Sequence, residues 1–263
     1  VENGDTVQLN KYGTFKDMNA NCQIWNPNVG LNGAFVNFPD MWRTFPNMRT
    51  YNAVDFLPYP AKAKDPKTLN LFKGFRIHNY IHREEIDIQV ILDHIFLLAD
   101  KNNEVYQYTL NYLAHLIQKP GERPNVALLF MSKPGTGKNL FWEKFGRTIL
   151  GAEKVYQTQD ITRLTNRFND YLSEKLLVVL DEVEAKTSFN VVEFIKNFVT
   201  AEQNTIETKN IRARQEQSYR RLIMFSNNLT PLKIPPKARR FMVTKVADDM
   251  IGNKEYFNAL AEA

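Results

Sequence analysis

The chain has 263 residues, of which 43% are hydrophobic and 24% are charged, and this composition excludes a disordered chain as the default. The single cysteine, Cys22, excludes an internal disulfide and a cysteine-rich zinc site, and it favours a reducing, cytoplasmic compartment. Lys and Arg exceed Asp and Glu by 34 to 29, which weakly favours a polyanionic partner, and no apolar run approaches the roughly 20 residues of a membrane-spanning helix.

Residues 1–80 are predicted to form an irregular segment of loops and short strands. Proline and asparagine, which favour loops, are frequent here, and aromatic residues are interspersed among them. We expect the aromatic rings to pack in a core, and the alternative is that they stack on nucleic-acid bases. The chain begins at Val1 with a polar stretch, which suggests a piece of a longer protein. The aromatic residues concerned are Trp25, Phe38, Trp42, Phe45, Tyr51, Phe56 and Tyr59.

Residues 81–123 are predicted to form a small helical region. Apolar side chains recur at helical spacing in two stretches, and the polar turn DKNNE separates the two stretches. The sequence QKPGERP then ends the second helix. The apolar positions are Ile86, Val90, Ile91, Ile95 and Leu98 in the first helix, and Tyr106, Leu110, Leu113 and Ile117 in the second.

From residue 124 to residue 263, short apolar runs alternate with stretches of helical periodicity. VALLFM, KVYQT, KLLVVL, RLIMFSN and RRFMVTKV are predicted strands. Strands that alternate with helices are typical of a parallel sheet covered by helices. We therefore predict an α/β fold for 124–263, with a parallel sheet flanked by helices.

The stretch SKPGTGKNLF joins the first of these strands to a helix. It matches the phosphate-binding loop G-x-x-x-x-G-K-[ST], or P-loop, except that Ser132 replaces the first glycine and Asn139 replaces the hydroxyl residue. In such a loop the backbone N–H groups and the positive helix end point at a polyphosphate. We therefore expect ATP to bind here. The residues expected to contact its phosphates are Pro134, Gly135, Thr136, Gly137, Lys138, Asn139 and Leu140.

Two acids, Asp181 and Glu182, end the strand KLLVVL at the carboxyl edge of the predicted sheet. A nucleoside triphosphate requires a divalent metal and an oriented water for hydrolysis. We expect Asp181 and the side-chain oxygen of Asn139 to bind Mg²⁺, a cation that prefers hard oxygen ligands. Glu182 would polarise the attacking water. The alternative is that both acids merely end the strand.

The order of these motifs resembles that of superfamily 3 helicases, particularly the C-terminal helicase modules of phage and viral primase-helicase or primase-polymerase proteins. The resemblance is carried by SKPGTGKN, LLVVLDE, TIETKNIRARQ, RLIMFSNN and ARRFMV, and it covers most of the chain. It implies a P-loop ATPase fold of AAA+ type, preceded by the small helical region and the irregular N-terminal segment. It also implies an ATP- and Mg²⁺-dependent DNA helicase that acts in replication.

The resemblance further implies the partners of the chain. Related helicases assemble as rings, so we expect a homo-oligomer, in the form of a hexamer, that moves along single-stranded or forked DNA from 3′ to 5′. A primase or polymerase region would belong to the same protein. The compartment would be the host cytoplasm if the chain is phage-encoded, and no membrane partner is expected.

Three catalytic residues are assigned by the resemblance alone. Asn227, after the strand LIMF, would orient the water near the γ-phosphate, and its neighbour Asn228 is the alternative. Arg239 and Arg240 match the arginine finger, which in this family comes from the adjacent subunit. Arg240 is the preferred member of the pair. The alternative is that both arginines are solvated.

The stretch TIETKNIRARQEQSYRR is predicted to form a β-hairpin whose cations contact DNA. Such contacts would be independent of sequence, because phosphates carry no base identity. Lys209 matches the hairpin lysine that contacts DNA in related helicases. A merely solvated hairpin is the alternative. The residues expected to contact DNA are Lys209, Asn210, Ile211, Arg212 and Arg214, and Arg220 and Arg221 are further cations of the same stretch.

Two other functions stay open at this point. If the Asn139 departure reflects a decayed loop, the chain is a binding module that holds nucleic acid or organises a replication complex. Alternatively, the chain is a P-loop ATPase that remodels protein rather than DNA.

Overall fold

The computed structural model describes most of the chain. The start of the predicted helical region, including Ile86, lies outside the described residues. None of the described helices is both long and apolar enough to cross a membrane. The described residues are 2–3, 6–7, 11–79, 87–183 and 189–263.

The chain divides into two compact units. Unit 1 consists of Val1–Asp55 and Ala63–Leu71, and unit 2 consists of Phe56–Lys62 and Phe72–Ala263. The motifs that indicate nucleotide and DNA binding all lie in unit 2. The predicted boundaries after residues 80 and 123 remain predictions.

Unit 1 contains short strands in two-stranded pairs, as its proline and asparagine content predicts, together with short helices that were not predicted. Its elements are β1 (Glu2–Asn3), β2 (Thr6–Val7), α1 (Tyr12–Met18), β3 (Gln23–Asn26), β4 (Ala34–Asn37), α2 (Phe38–Thr44), β5 (Ala53–Asp55) and β6 (Thr68–Asn70).

The aromatic rings of unit 1 are less buried than the sequence analysis predicts. Trp25 of β3 pairs across the hairpin with Phe35 of β4, and both rings are exposed. Trp42, Phe45 and Tyr51 are exposed as well. The prediction that these rings pack in a core is therefore wrong for Trp25, Trp42, Phe45 and Tyr51, and also for Tyr59 of unit 2, whereas Phe56 of unit 2 is buried as predicted. Trp25 lies on a two-stranded pair, which has no second layer to cover both of its faces.

Unit 2 alternates strands and helices along its chain. Its strands are β7 (Ala127–Met131), β8 (Val155–Thr158), β9 (Leu177–Leu180), β10 (Gln203–Ile206), β11 (Arg214–Gln217), β12 (Arg221–Ser226) and β13 (Phe241–Lys245). Its helices are α3 (Gln89–Leu98), α4 (Asn103–Gln118), α5 (Lys138–Phe145), α6 (Thr162–Thr165), α7 (Phe189–Thr200) and α8 (Lys254–Glu262). Short 3₁₀ turns span Arg76–Asn79, Ala152–Lys154 and Asp170–Leu172, and a π turn spans Gly146–Leu150.

Helices α3 and α4 confirm the two predicted helical stretches. The side chain of Asn102 caps α4 by accepting hydrogen bonds from the backbone N–H groups of Glu104 and Val105. The buried face of α4 includes Leu113 and Leu116. The polar turn between the two helices therefore ends one helix and starts the next.

Within the described residues of unit 2, five parallel strands form one sheet in the order β13-β7-β12-β9-β8. Every residue of β9 and β12 is buried, which explains why these strands are apolar almost throughout. The core includes Leu129, Val178 and Met224 from the strands and Ile195 and Val199 from α7. The predicted α/β fold is confirmed.

The parallel sheet brings distant parts of the sequence to one edge. Because all five strands run in the same direction, the residues that follow β7, β8, β9 and β12 lie at the same carboxyl edge. These residues include the glycine-rich loop, Gln159, Asp181 and Asn227.

Candidate nucleotide site and DNA hairpin

The loop between β7 and α5 has a backbone that requires glycine. Gly135 and Gly137 have φ values of 87° and 79°, which place both in the left-handed region. At Gly137 space is also limiting, because an added Cβ would lie 2.6 Å from Cε1 of Phe257 and 2.8 Å from Cε1 of His94. The loop then enters α5, which begins at Lys138.

Ser132, the residue in place of the first glycine, stabilises the start of the loop. Its backbone N–H donates to the carbonyl of Ser226, which continues the pairing of β7 with β12. Its hydroxyl accepts a hydrogen bond from the hydroxyl of Thr136 at 3.1 Å. Both side chains are buried, so this departure from the motif adds a contact across the loop.

Lys138 connects the loop to the end of β12. Its ammonium donates to Oδ1 of Asn227 at 3.0 Å, and the residue is only 7% exposed. Burial lowers the pKa of Lys138, while the charges of Asp181 and Glu182 act against that shift. One of the three N–H donors of the ammonium is thus occupied by an amide oxygen of the same cavity.

Asn139 contacts the first predicted acid. Its Nδ2 donates to Oδ2 of Asp181 at 2.6 Å, and Asp181 is itself buried. Its Oδ1 is buried and has no hydrogen-bond partner among the described residues. A buried amide oxygen without a partner, beside a carboxylate, is a suitable pair of hard ligands for a divalent cation. Asn139 and Asp181 therefore carry oxygen atoms of the type that Mg²⁺ binds.

Glu182 lies where β9 leaves the sheet. Its φ of 61° is rare for a residue with a side chain and is typical of functional sites. The N–H of Asp181 donates to the carbonyl oxygen of Thr158, and the N–H of Val183 donates to the carbonyl oxygen of Phe225. These bonds hold the backbone on both sides of the turn at Glu182.

Asn227 and not Asn228 lines the cavity at the end of β12. The side-chain oxygen of Asn228 accepts from the N–H of Thr230, and its own N–H donates to the hydroxyl of Ser226. Asn228 is thus used in a local turn, whereas Asn227 contacts Lys138. This contact favours Asn227 for the role near the γ-phosphate.

The loop and the strand ends enclose a cavity of about 380 Å³, the loop cavity. It brings together every residue predicted to contact ATP, both acids and Asn227. Gln159, which follows β8, also lines it and was missed in the sequence analysis. Its position after a strand of the same sheet is the signal that would have found it. The lining residues are Pro134, Gly135, Thr136, Gly137, Lys138, Asn139, Leu140, Gln159, Asp181, Glu182 and Asn227.

Arg239 and Arg240 lie at the opposite edge of the sheet from the loop cavity. They precede β13, whose Phe241 pairs with Ala127 at the start of β7, and the carbonyl of Arg240 accepts from the N–H of Ala127. Strand β7 separates this edge from the glycine-rich loop by about 16 Å, at roughly 3.3 Å per residue. The two arginines line a separate cavity of about 270 Å³ that also contains Lys196.

The predicted hairpin is confirmed as β10 and β11. The strands pair antiparallel, with Gln203 opposite Gln217 and Ile206 opposite Arg214. Residues 207–213 connect the two strands and form the hairpin tip. Four of the five residues predicted to contact DNA lie on this tip and are exposed, namely Lys209, Asn210, Ile211 and Arg212.

The remaining arginines of the stretch are used inside the protein. Arg214 donates to Oε2 of the buried Glu216 at 2.8 Å and to the hydroxyl of Ser173 at 2.6 Å. Arg220 and Arg221 are buried, and burial lowers the pKa of each guanidinium to about 10. Arg220 and Arg221, the further cations of the stretch, are therefore not exposed to a DNA backbone, and the structure gives no support for Arg214 as a DNA contact.

Asn169, which the sequence analysis missed, anchors the hairpin. Its side chain donates to the carbonyl of Thr205 at 3.0 Å and accepts from the N–H of Glu207 at 2.9 Å. Arg167 adds an ion pair with Glu207 at 2.7 Å. These residues lie between β8 and β9, so the connection of two sheet strands holds the hairpin. An asparagine in a loop gives no local signal of such a contact.

Comparisons with known proteins agree with the resemblance to phage primase-polymerase proteins. Residues 130–240 match DUF5906, a family of unknown function. Over 182 residues the chain is 30% identical to the DNA primase-polymerase of Nitratiruptor phage NrS-1. That alignment covers 67% of this chain and 24% of the phage protein, so the chain spans about a quarter of its relative.

Solved structures extend the match to the fold. The A-form apo structure of the NrS-1 C-terminal region superposes with a TM-score of 0.68 at 23% identity, over 88% of this chain and 59% of that chain. A second apo structure of the same region gives the same TM-score and coverage at 22% identity. The chain is therefore similar in sequence to a phage primase-polymerase and shares the fold of its C-terminal region, as the motif order predicts.

Proposed function

We propose that the chain is an ATP-driven motor that unwinds DNA in phage-type replication, as a member of the superfamily 3 helicases. One observation carries the proposal: the glycine-rich loop, the two acids and Asn227, which are far apart in sequence, line the same cavity. A chance P-loop resemblance does not require this convergence. The relationship to a phage primase-polymerase supports the setting in replication.

In the proposed mechanism the loop binds the triphosphate of ATP. The N–H groups of the loop and the start of α5 surround the phosphates, and Lys138 places its ammonium against the β- and γ-phosphates. Mg²⁺, held by Asn139 and Asp181, would neutralise charge on the phosphates. Glu182 polarises the attacking water. The side-chain oxygen of Asn227 accepts from Lys138, so the amide nitrogen of Asn227 is the group that would orient that water.

The arginine finger in this proposal comes from a neighbouring subunit. Arg239 and Arg240 lie at the amino edge of their own sheet, whereas the loop cavity lies at the carboxyl edge. Within one chain, Arg239 and Arg240 are thus too far from the loop cavity to stabilise charge on the phosphoryl group. A ring, for which we propose six subunits, would place these residues at the next subunit's cavity.

The hairpin tip is the proposed DNA contact. Lys209 and Arg212 are exposed cations on a projecting turn, and such groups bind a phosphate backbone without reading its sequence. ATP hydrolysis would move the hairpin along single-stranded DNA, in the 3′ to 5′ direction that the resemblance implies.

The proposal is tested by strand displacement on forked DNA with ATP and Mg²⁺, together with a measurement of the molecular mass of the oligomer. We expect unwinding that needs both ATP and Mg²⁺, and an oligomer of about six subunits in the presence of nucleotide. Binding of DNA without any Mg²⁺-dependent ATP hydrolysis would instead establish a binding module. Hydrolysis with no effect of Lys209→Ala on DNA affinity would favour a motor that remodels protein.

A further inference from the structure

Gly137, the last glycine of the loop, is covered by two rings from other parts of unit 2. His94 of α3 and Phe257 of α8 both lie close enough to exclude a Cβ at this position. The His94 ring also packs near Tyr256 of α8, with ring centroids 5.8 Å apart. The helical region and the C-terminal helix therefore meet at the residue that precedes Lys138.

His94 links Tyr256 to the loop through hydrogen bonds. Its Nδ1 is 2.9 Å from the hydroxyl of Tyr256, and its Nε2 is 3.4 Å from the carbonyl oxygen of Gly137. A carbonyl oxygen only accepts, so Nε2 carries the proton and Nδ1 accepts from the tyrosine. The bonds then run in one direction, from the Tyr256 hydroxyl through His94 to the Gly137 carbonyl.

Burial keeps both groups in the protonation states that this arrangement requires. His94 is fully buried, and burial lowers its pKa to about 4, so its ring is neutral at pH 7. Burial raises the pKa of Tyr256 to about 12, so its hydroxyl keeps its proton. Neither group is a member of the loop cavity.

The orientation of the Gly137 carbonyl affects phosphate binding through the peptide plane. In a trans peptide the C=O and the next N–H point in opposite directions. The Gly137 carbonyl accepts from His94 on one side and from the N–H of Phe141 in α5 on the other. These two bonds fix the plane of the Gly137–Lys138 peptide, so the N–H of Lys138, at the positive end of α5, points opposite to the carbonyl that they hold.

The connection between β13 and α8 is joined to α3 and to the turn that follows α3. The N–H of Ala247 donates to the carbonyl of Leu97, and Lys101 forms an ion pair with Asp249 at 2.6 Å. The side chain of Asn253 caps α8 by accepting from the N–H of Tyr256. The hydroxyl of Tyr256 is therefore presented to His94 from a helix that is anchored at its start.

We propose that His94 and Tyr256 are positioning residues that orient the Gly137–Lys138 peptide, so that nucleotide affinity depends on the C-terminal helix α8. The inference rests on the proposed ATP site and adds a second layer of residues to it. Neither residue belongs to the P-loop or acid motifs, and no local sequence pattern marks them.

The test is Tyr256→Phe, which removes one hydroxyl and keeps the ring. Binding of a non-hydrolysable ATP analogue should weaken about two- to tenfold, the effect of one hydrogen bond. The KM for ATP should rise by the same factor while kcat is unchanged, because the loop loses its ground-state orientation and no reacting group is removed. Tyr108→Phe, a tyrosine of α4 outside this contact, is the matched control and should bind as the wild type does.

Side-chain nitrogen NMR of the four histidines supplies an independent readout. The wild-type His94 should be neutral with its proton on Nε2, and its Nδ1 resonance should shift in Tyr256→Phe. A proton on Nδ1, or unchanged analogue affinity in Tyr256→Phe, would overturn the inference while leaving the ATP site intact. A wild-type chain that binds no analogue would instead refute the proposed function itself.

Discussion

The loop cavity and the β10–β11 hairpin place their functional groups in opposite ways. In the loop cavity, Lys138 is buried at the start of α5 and Asp181 is buried at the end of β9. In the hairpin, Lys209 and Arg212 are exposed at the tip, and the base is held by the buried Glu216. Loss of Lys138 should therefore strongly lower the rate of the chemistry in the cavity, whereas loss of one cation should only weaken DNA binding at the hairpin tip.

The largest loss of folding stability is expected from a substitution at the hairpin base and not at its tip. Glu216→Ala leaves Arg214 and the buried Arg220 without their carboxylate partner, which lies 2.8 Å and 3.8 Å from them. Removal of one partner of a buried ion pair costs about 3–5 kcal/mol in the free energy of unfolding. Urea denaturation measures this loss.

The matched control for this variant is Glu207→Ala, on the same hairpin. Its partner Arg167 is largely exposed, so the loss should stay below about 1 kcal/mol. Equal losses in the two variants would contradict the division of the hairpin into a buried base and an exposed tip.

Within the loop cavity, Lys138→Ala should lower ATP turnover by about 10² to 10³, the usual effect of removing one preorganised donor to a developing charge. The melting temperature should not fall, because burial already disfavours the ammonium. Steady-state phosphate release measures turnover. Lys119→Ala, an exposed lysine on the same unit, is the control, and turnover above a tenth of wild type in Lys138→Ala would refute the assigned role.

At the hairpin tip, Lys209→Ala and Arg212→Ala should each weaken binding of single-stranded DNA several-fold at low salt. The slope of log affinity against log salt should fall by about 0.7 for each lost phosphate contact. ATP turnover without DNA should stay as in the wild type. Arg147→Ala, an exposed arginine outside the hairpin, is the control, and an equal loss of affinity in that variant would mean that the tip has no special role.

The smallest effect on nucleotide binding is expected from substitution of Asn139, because this residue would supply only one neutral oxygen to Mg²⁺. In Asn139→Ala the Mg²⁺ concentration for half-maximal binding of the ATP analogue should rise a few-fold, and binding without Mg²⁺ should be unaffected. Asn139→Ser, which restores a hydroxyl, should bind Mg²⁺ at least as well as Asn139→Ala. Titration of Mg²⁺ at constant analogue concentration separates these outcomes. An identical Mg²⁺ requirement in the wild type, Asn139→Ala and Asn139→Ser would show that Asn139 is not a metal ligand.

The burial of the central strands explains which features of the protein can be predicted from the sequence. The strands β9 and β12 are apolar over nearly their whole length because both faces are covered, and such runs are visible in the sequence. Parallel strands then bring Asp181 and Asn227 to the glycine-rich loop as a matter of geometry. The fold class and most residues of the loop cavity follow from these local features, whereas Asn227 is assigned by the resemblance and Gln159 is missed.

The features that sequence analysis predicts wrongly or misses depend on burial and on long-range contacts. Trp25 is exposed although aromatic residues usually favour cores, and Arg221 is fully buried although arginine usually favours the surface. Arg221 donates to carbonyl groups at the end of α4, including those of Lys119 and Glu122, about a hundred residues earlier. Asn169 likewise contacts a hairpin more than thirty residues later. No local periodicity encodes such pairs.

The most direct test of the ATP site is a structure of the chain with a non-hydrolysable ATP analogue and Mg²⁺. The triphosphate should lie against the backbone N–H groups from Gly135 to Lys138, with the metal between Oδ1 of Asn139 and the carboxylate of Asp181. An analogue bound elsewhere on the chain, or a metal coordinated away from Asp181, would contradict the account.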